Sequence, residues 1–562
     1  MNIQKILFLS AILLFTLADC THQPDTQEPE IPFLWENATV YFLLTDRFYN
    51  GNPANDFSFD RKQDGAPLRS FLGGDIKGIT QKIEEGYFNT LGVNAIWLTP
   101  PVEQVHGSTD EGTGKTYAYH GYWAYDWTAI DPNFGNWDDL REMVEVAHDN
   151  GIRIILDVVL NHTGPEIEGE PVWPDSWVRT SPVCTYQDFE STTSCTLVRN
   201  LPDIRTENEE PVELPQFLTT KWEEEGRLDS EMAELDEFFN RTGYPRAPKY
   251  YIIKWLTDFV RELGIDGFRV DTAKHTEPDV WEDLHEQAVA AFSQWKIDHP
   301  GEVLDQNGFY MVGEVYGFNL NEAPQYNYGD TLVNFYDYGF SSLINFAFKT
   351  DAGSQPEEIF SRYAEKLNHT MNGTGIMNYV SSHDDSQPFD PDRTRVFEAG
   401  TKLLLAPGTV QIYYGDETAR GLQIDGTQGD AHLRSMMNWE ELENNATKHN
   451  YNVADVYHHW SKLGNFRKEH PSVGAGIHKM ISESPYIFTR TLDQDSLSDQ
   501  VMVVLEPDTP VIEVQDIFEN GIDIKDYYTG QIATVRNGIL NFDSVEHIVL
   551  LGKPIKNGSG NY

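Results

Sequence analysis

The chain has 562 residues, 40% of them apolar, which is enough to bury a large core and to divide into more than one domain. Asp and Glu number 89 against 41 Lys and Arg, a formal net charge of −48. Nucleic-acid surfaces neutralise phosphates with clustered Lys and Arg, so this balance sets nucleic acid aside as a partner and reads as a solubilising surface.

Lys5 precedes an apolar run over residues 6–17, too short to span a bilayer but the length of a secretory signal core. Export is therefore expected, with residues 1–20 as the signal. The segment Leu17-Ala18-Asp19-Cys20 resembles a bacterial lipoprotein box that would leave Cys20 as a lipidated N-terminus, although Asp19 stands where a small residue is usual. Fully soluble secretion is the alternative. The polar, Pro- and Glu-containing residues 21–30 suit a tether, assigned to 21–36, and membrane contact is expected only through the lipid.

From residue 37 onward, apolar runs alternate with amphipathic segments, the pattern of parallel βα units. Strands are expected at 40–44, 94–98, 152–159, 266–270, 309–312, 331–335, 375–380 and 409–413. Eight strands predict an α/β fold, a (β/α)8 TIM barrel. Helical spacing marks 137–150 and 250–263, the latter with Ile252, Ile253, Leu256, Phe259, Val260 and Leu263 on a core stripe. Residues 161–249 are too many for an ordinary connection, which predicts an inserted subdomain after strand three. Cys184 and Cys195 lie there, and a local disulfide is the default for such a pair in an exported protein. Beyond residue 470 come short β-like runs at 501–505, 533–535 and 547–551, which predict a C-terminal antiparallel β-sandwich. The expected plan is a catalytic barrel over 37–160 and 250–470, an insert over 161–249 and a sandwich over 471–562.

Three stretches, GFRVDTAKH (267–275), GEVY (313–316) and YVSSHDD (379–385), place Asp271, Glu314 and Asp384 just past expected strands. Barrel enzymes build their active sites at that end. Cleaving an acetal between sugars needs one carboxyl group to protonate the leaving oxygen and a second to attack or stabilise the oxocarbenium-like centre. Arg269 lies two residues before Asp271, so both side chains share a face and the guanidinium can keep the carboxylate ionised, as a nucleophile requires. Glu314 follows an apolar strand that can raise its pKa towards that of a useful acid. His383 offers a donor for sugar hydroxyls.

DVVLNH (157–162), GFRVDTAKH, GEVY and SSHDD occur in the order found in α-amylases of glycoside hydrolase family thirteen, which the chain resembles over most of residues 37–470. The resemblance implies that Asp271 is the nucleophile, Glu314 the general acid and base, and Asp384 the transition-state stabiliser, with Arg269, His162 and His383 as sugar ligands. YHGYW (119–123) also matches, implying that His120 binds a sugar hydroxyl and Tyr122 stacks on the ring at the cleavage point. Tyr122 and Trp123 would be core aromatics in isolation, and the motif makes binding residues of both. Lys274 and His275 resemble residues that bind glucan beyond that point. The resemblance also implies a structural Ca²⁺ held by Asn161, Asp203 and the His275 carbonyl. YNGNPAND (49–56) and GGD (73–75) are similar to a second calcium loop, that of cyclodextrin glucanotransferases. Its ligands would be Asn50, Asn52, Asn55, Asp56, Asp75 and the Gly73 carbonyl. Asn50 stands where Asp is usual, and an ion-free Asn-Gly turn is the alternative.

The implied activity is endo-hydrolysis of α-1,4-bonds in starch and maltooligosaccharides, with retention of configuration, by a monomer. The chain does not carry the long N-terminal domain of neopullulanase-like relatives. After Asp384 it reads Asp385-Ser386-Gln387-Pro388-Phe389, where many α-amylases have an Arg that contacts the neighbouring glucose. That departure keeps transglycosylation as an alternative. A non-catalytic glucan-binding lipoprotein would have no need of all three carboxylates.

Overall fold

A computed structural model describes residues 31–110, 112–371, 373–494 and 497–554. The expected signal and Cys20 lie outside the described residues. Eight strands close into a barrel: Thr39–Leu43, Ala95–Leu98, Arg153–Val158, Gly267–Val270, Tyr310–Gly313, Ser342–Asn345, Gly375–Tyr379 and Thr409–Tyr413. All neighbours pair in parallel, and the first strand closes on the last from Thr39↔Val410 to Phe42↔Tyr413. Helices cover the outside, so the strands are buried along their whole length and read as apolar runs.

The sixth strand is the exception to that legibility. Residues 331–335 do not enter the barrel; Leu332–Val333 pairs antiparallel with Tyr326–Asn327 in a short hairpin. The barrel strand is Ser342–Asn345, only four residues long and polar at both ends. Its Asn345 is satisfied inside, donating to Asn378 Oδ1 at 2.8 Å and the Tyr363 hydroxyl at 3.1 Å. A strand whose ends are buried amide and hydroxyl groups carries little apolar signal.

Local chemistry sets the flanking helices. Trp137–Asp149 begins at a capping box in which Asn136 and Asp139 satisfy each other's backbone N–H groups. Pro248–Leu263 ends at Gly264, φ +73°, where an added Cβ would lie 2.3 Å from the Trp295 ring, so only glycine fits the cap. Between strands three and four the insert holds the pair Val178–Arg179 with Asp203–Ile204, helices Gln216–Glu224 and Leu228–Thr242, and the Cys184–Cys195 disulfide, Cα–Cα 4.9 Å. Trp177 and Trp222 seat it against Trp255 of the barrel helix, with ring centroids 6.2 Å apart in each pair.

The C-terminal part is antiparallel. A six-stranded sheet begins with Ile477–Glu483 and faces the pair Val511–Glu513 with Ile539–Asn541, enclosing Met502, Val504, Ile512, Ile524, Leu540 and Leu551. Fully buried Arg490 stitches it to the barrel at the end of helix Val396–Leu404, where carbonyls lack helical partners, and Arg467 of barrel helix Val453–Glu469 closes the same helix end from within the barrel. Arg467 donates to the Leu404 and Ala406 carbonyls at 3.1 and 2.8 Å, and Arg490 to Leu405 at 2.7 Å. Among the described residues no helix is long and apolar enough to cross a membrane.

Candidate active site

The carboxyl ends of the barrel strands converge on Arg269. Its Nη1 lies 2.9 Å from Asp157 Oδ1 and 2.7 Å from Asp271 Oδ1, while Nη2 lies 3.1 Å from Glu314 Oε2. The two-residue period of the fourth strand puts Arg269 and Asp271 on one face. The remaining oxygen of Asp157 accepts from the Tyr122 hydroxyl at 2.8 Å and the Trp97 indole at 3.0 Å. Thr272 adopts φ +49°, rare for a β-branched residue. This turn aims its N–H at Glu314 Oε2, 2.8 Å away, and the Ala273 N–H at the Glu314 carbonyl, 2.9 Å away. Backbone strain is thus spent where the two carboxyl groups meet.

Environment separates the acids. Burial pushes Glu314 up to about 8, against the pull of Arg269 and with the neighbouring Asp271 and Asp384 adding to the rise. For Asp384 burial also opposes ionisation, but His383, the Ser382 hydroxyl at 2.8 Å, Arg269 and Arg434 outweigh it and hold the carboxyl below its usual range. Near neutral pH one cleft therefore offers a protonated carboxyl and an anionic one. Burial pushes Asp157 up to about 7 despite Arg269. It holds His383 down to about 4 and lowers His120 and His162, so all three imidazoles are neutral hydrogen-bonding groups. His383 Nδ1 is buried without a protein partner. The Tyr122 ring stacks with His383 at 5.3 Å and His120 at 5.8 Å, and Trp97 and Phe346 complete the lining.

Lys274 donates to the Tyr316 carbonyl at 3.1 Å and meets the Tyr326 hydroxyl at 3.2 Å, while His275 Nδ1 reaches the Thr192 carbonyl of the insert at 3.2 Å. Trp123 departs from the expected role. It is 4% exposed in a small cluster with Val105, Ala118, Tyr125 and Leu201, so its ring is core and not a sugar platform. Sequence reasoning also missed Asp430 and Arg434, on the 3-10 turn after the eighth strand. Arg434 Nε donates to the His383 carbonyl at 2.9 Å, and Asp430 sits between Arg434 at 2.5 Å and Arg69 at 3.0 Å. The charge of Arg434 also acts on Asp384 from this separate loop. Its only signal, an Asp and an Arg four residues apart, is too common to single out.

The two implied calcium sets can be tested on their donors. Asn161 Nδ2 lies 2.7 Å from Asp203 Oδ1 and 3.3 Å from the His275 carbonyl, so turning that amide over would join three oxygens. Asp203 Oδ2 is buried without a hydrogen bond, 2.8 Å from Arg179 Nε. In the second loop Asn50 Oδ1 and Asn55 Oδ1 are both buried and unpartnered. Gly73, φ +94°, lets this loop close; a Cβ there would lie 2.6 Å from Asn50 Nδ2 and 2.8 Å from Asp56 Oδ1. Asp75 already accepts from Gly51, Asn52 and Gly78 N–H groups, the last as cap of helix Ile76–Glu84. Asn52 contributes its N–H to that carboxylate. Among the described residues no three His, Cys, Asp or Glu cluster as metal ligands. Both sets are mixtures of amide, carboxylate and carbonyl oxygens, which fit a hard cation such as Ca²⁺.

A family model described as "Alpha amylase, catalytic domain" matches residues 42–476. The periplasmic alpha-amylase of Escherichia coli (strain K12) is 36% identical over 535 residues, covering 83% of this chain and 72% of that protein. A cyclomaltodextrin glucanotransferase of Thermoanaerobacterium thermosulfurigenes is 26% identical over 515 residues; the match covers 86% of this chain but 62% of that relative's length. The crystal structure of an Anoxybacillus alpha-amylase is similar in fold, with TM-score 0.62 and 22% identity over 93% of this chain and all of that one.

Proposed function

The chain belongs to the α-amylase family of glycoside hydrolases, and from that membership we propose that it hydrolyses internal α-1,4-bonds of starch and maltooligosaccharides with retention of configuration. One observation carries the reading: a single guanidinium, Arg269, holds Asp271 and Glu314 side by side while burial leaves Glu314 its proton. Adjacent carboxyl groups suit direct attack, whereas an inverting enzyme needs room between them for water.

In this mechanism Asp271 attacks the anomeric carbon as Glu314 gives its proton to the leaving oxygen, forming a glycosyl ester. Glu314, now a base, takes a proton from water, which opens the ester and restores both groups. Asp384 faces the oxocarbenium-like centre as an anion. Tyr122 supplies a ring face to the sugar, with His120, His162, His383 and Arg269 around it, and Lys274 and His275 lie on the leaving-group side. Transglycosylation is the second reading, supported by the similarity to cyclomaltodextrin glucanotransferases, and differs only in which hydroxyl opens the ester.

Asn161, Asp203 and the His275 carbonyl would hold one Ca²⁺, tying the insert to the fourth strand's turn. Asn50, Asn55, Asp56 and Gly73, with Asn52 and Asp75, would hold another. Bound there, the ions supply positive charge that rigidifies loops and take no chemical step. We assign catalysis to residues 37–160 and 250–470, with 161–249 as insert and 471–562 as sandwich. Similarity to a periplasmic enzyme supports export, and Cys20 would carry any lipid anchor. Reducing-sugar release from starch tests the function. Glu314→Gln should lose about 10²–10⁴-fold, the range for a general acid and base. Equal release by both proteins would remove the mechanism, and cyclic or lengthened products would favour transglycosylation.

A further inference from the structure

Asp384 and Asp385 are neighbours in sequence with different surroundings. The Asp384 side chain is 32% exposed to the cleft, whereas that of Asp385 is 7% exposed. Asp385 points back into the fold, where Oδ1 accepts from Lys349 Nζ and, at 3.0 Å, from the Gln387 N–H. Its Oδ2 accepts from the Tyr379 hydroxyl at 2.7 Å. Lys349 belongs to the short helix Phe348–Asp351 after the sixth strand, and Tyr379 ends the seventh. The Phe346 ring lies 5.9 Å from Tyr379 and 4.9 Å from Tyr316, which follows Glu314 by two residues. Three strand ends thus meet behind one turn.

We propose that Lys349, Asp385 and Tyr379 form a clamp that aims Asp384 into the cleft, with Lys349 as a positioning residue for the hydrolysis. The proposal rests on the catalytic reading of Asp384 above. It also gives Asp385 a part to play at the place where the chain departs from many α-amylases. The titratable and charged groups facing the turn are neutral His383 and cationic Arg434, cationic Arg269 and protonated Glu314, and the Lys349–Asp385 ion pair. Removing Lys349 leaves the Asp385 carboxylate buried without its cation beside Asp384, with only the Tyr379 and Gln387 donors left, and the turn shifts to relieve what proton uptake does not. Small displacements of a stabilising group act on the chemical step more than on binding.

The test compares wild type, Lys349→Met, Lys349→Arg and the double variant Lys349→Met/Asp385→Asn on a soluble maltooligosaccharide, with kcat, KM and Tm measured for each. Lys349→Met should lose about 10- to 100-fold in kcat, the scale of an ångström-sized misplacement, with KM within about twofold because uniform binding is kept. Lys349→Arg should recover most of the loss. The double variant should exceed Lys349→Met, since no lone charge remains and Asn still accepts from Tyr379. Wild-type kcat in Lys349→Met, even with a lower Tm, overturns the clamp, as does a loss that neither Arg nor the double variant reduces. If Lys349→Met does not fold, the soluble Asp385→Asn variant carries the same kcat test. An inactive wild type would instead count against the function itself.

Discussion

Arg269 carries a positive charge into a barrel mouth that already holds Asp157, Asp271 and Glu314, and its pairing offsets burial that costs several kcal/mol per ion. The offset is incomplete at Glu314, which stays near 8 against its usual 4.5. Between those pH values the folded protein keeps a proton that the unfolded chain has released, so the folded state binds more protons and stability falls as pH rises. Glu314→Gln removes that loss. Its Tm advantage over wild type, followed by calorimetry, should grow from pH 4.5 to pH 8, and a difference constant across that range would contradict the buried, protonated acid. At this scale the sequence was informative where neighbours share a strand. Arg269 and Asp271 could be paired from spacing alone. Trp123 could not be told from Tyr122, because one motif sends one ring to the cleft and the other into the core.

The elements show why some placements were legible and one was not. Fully buried parallel strands read as apolar runs, and seven were placed within a few residues. The sixth was displaced to 331–335 because Ser342 and Asn345 spend polar side chains inside the barrel. Helical spacing marked 137–150 and 250–263, and local capping chemistry at Asn136 and Gly264 sets the start of the first and the end of the second. The insert was visible only as excess length, and its docking through Trp177 and Trp222 needs contacts that no local pattern encodes. The proposed calcium at Asn161 and Asp203 would act at this scale, joining insert to barrel. Chelation should therefore lower the Tm of wild type, by the equivalent of about 2.7 kcal/mol when calcium stands at a hundredfold over Kd. Asp203→Asn should lose most of that response. A wild-type Tm indifferent to chelator and added calcium would remove the ion.

Taken whole, the molecule divides its labour between a rigid parallel barrel, an insert beside the fourth strand's turn, and an antiparallel end stitched on by Arg490. The change from alternating elements to short β-runs near residue 470 made that last part legible, whereas Arg490 gave no warning, being held by carbonyls and not by an acid. Function follows from the barrel mouth, where Asp271 and Glu314 share one guanidinium and a double displacement is the reaction such neighbours support. The most direct test is the anomeric configuration of the first products from an α-1,4-glucan, followed by proton NMR before mutarotation. The α-anomer should appear first and the β-anomer only later; initial release of the β-anomer would contradict attack by Asp271.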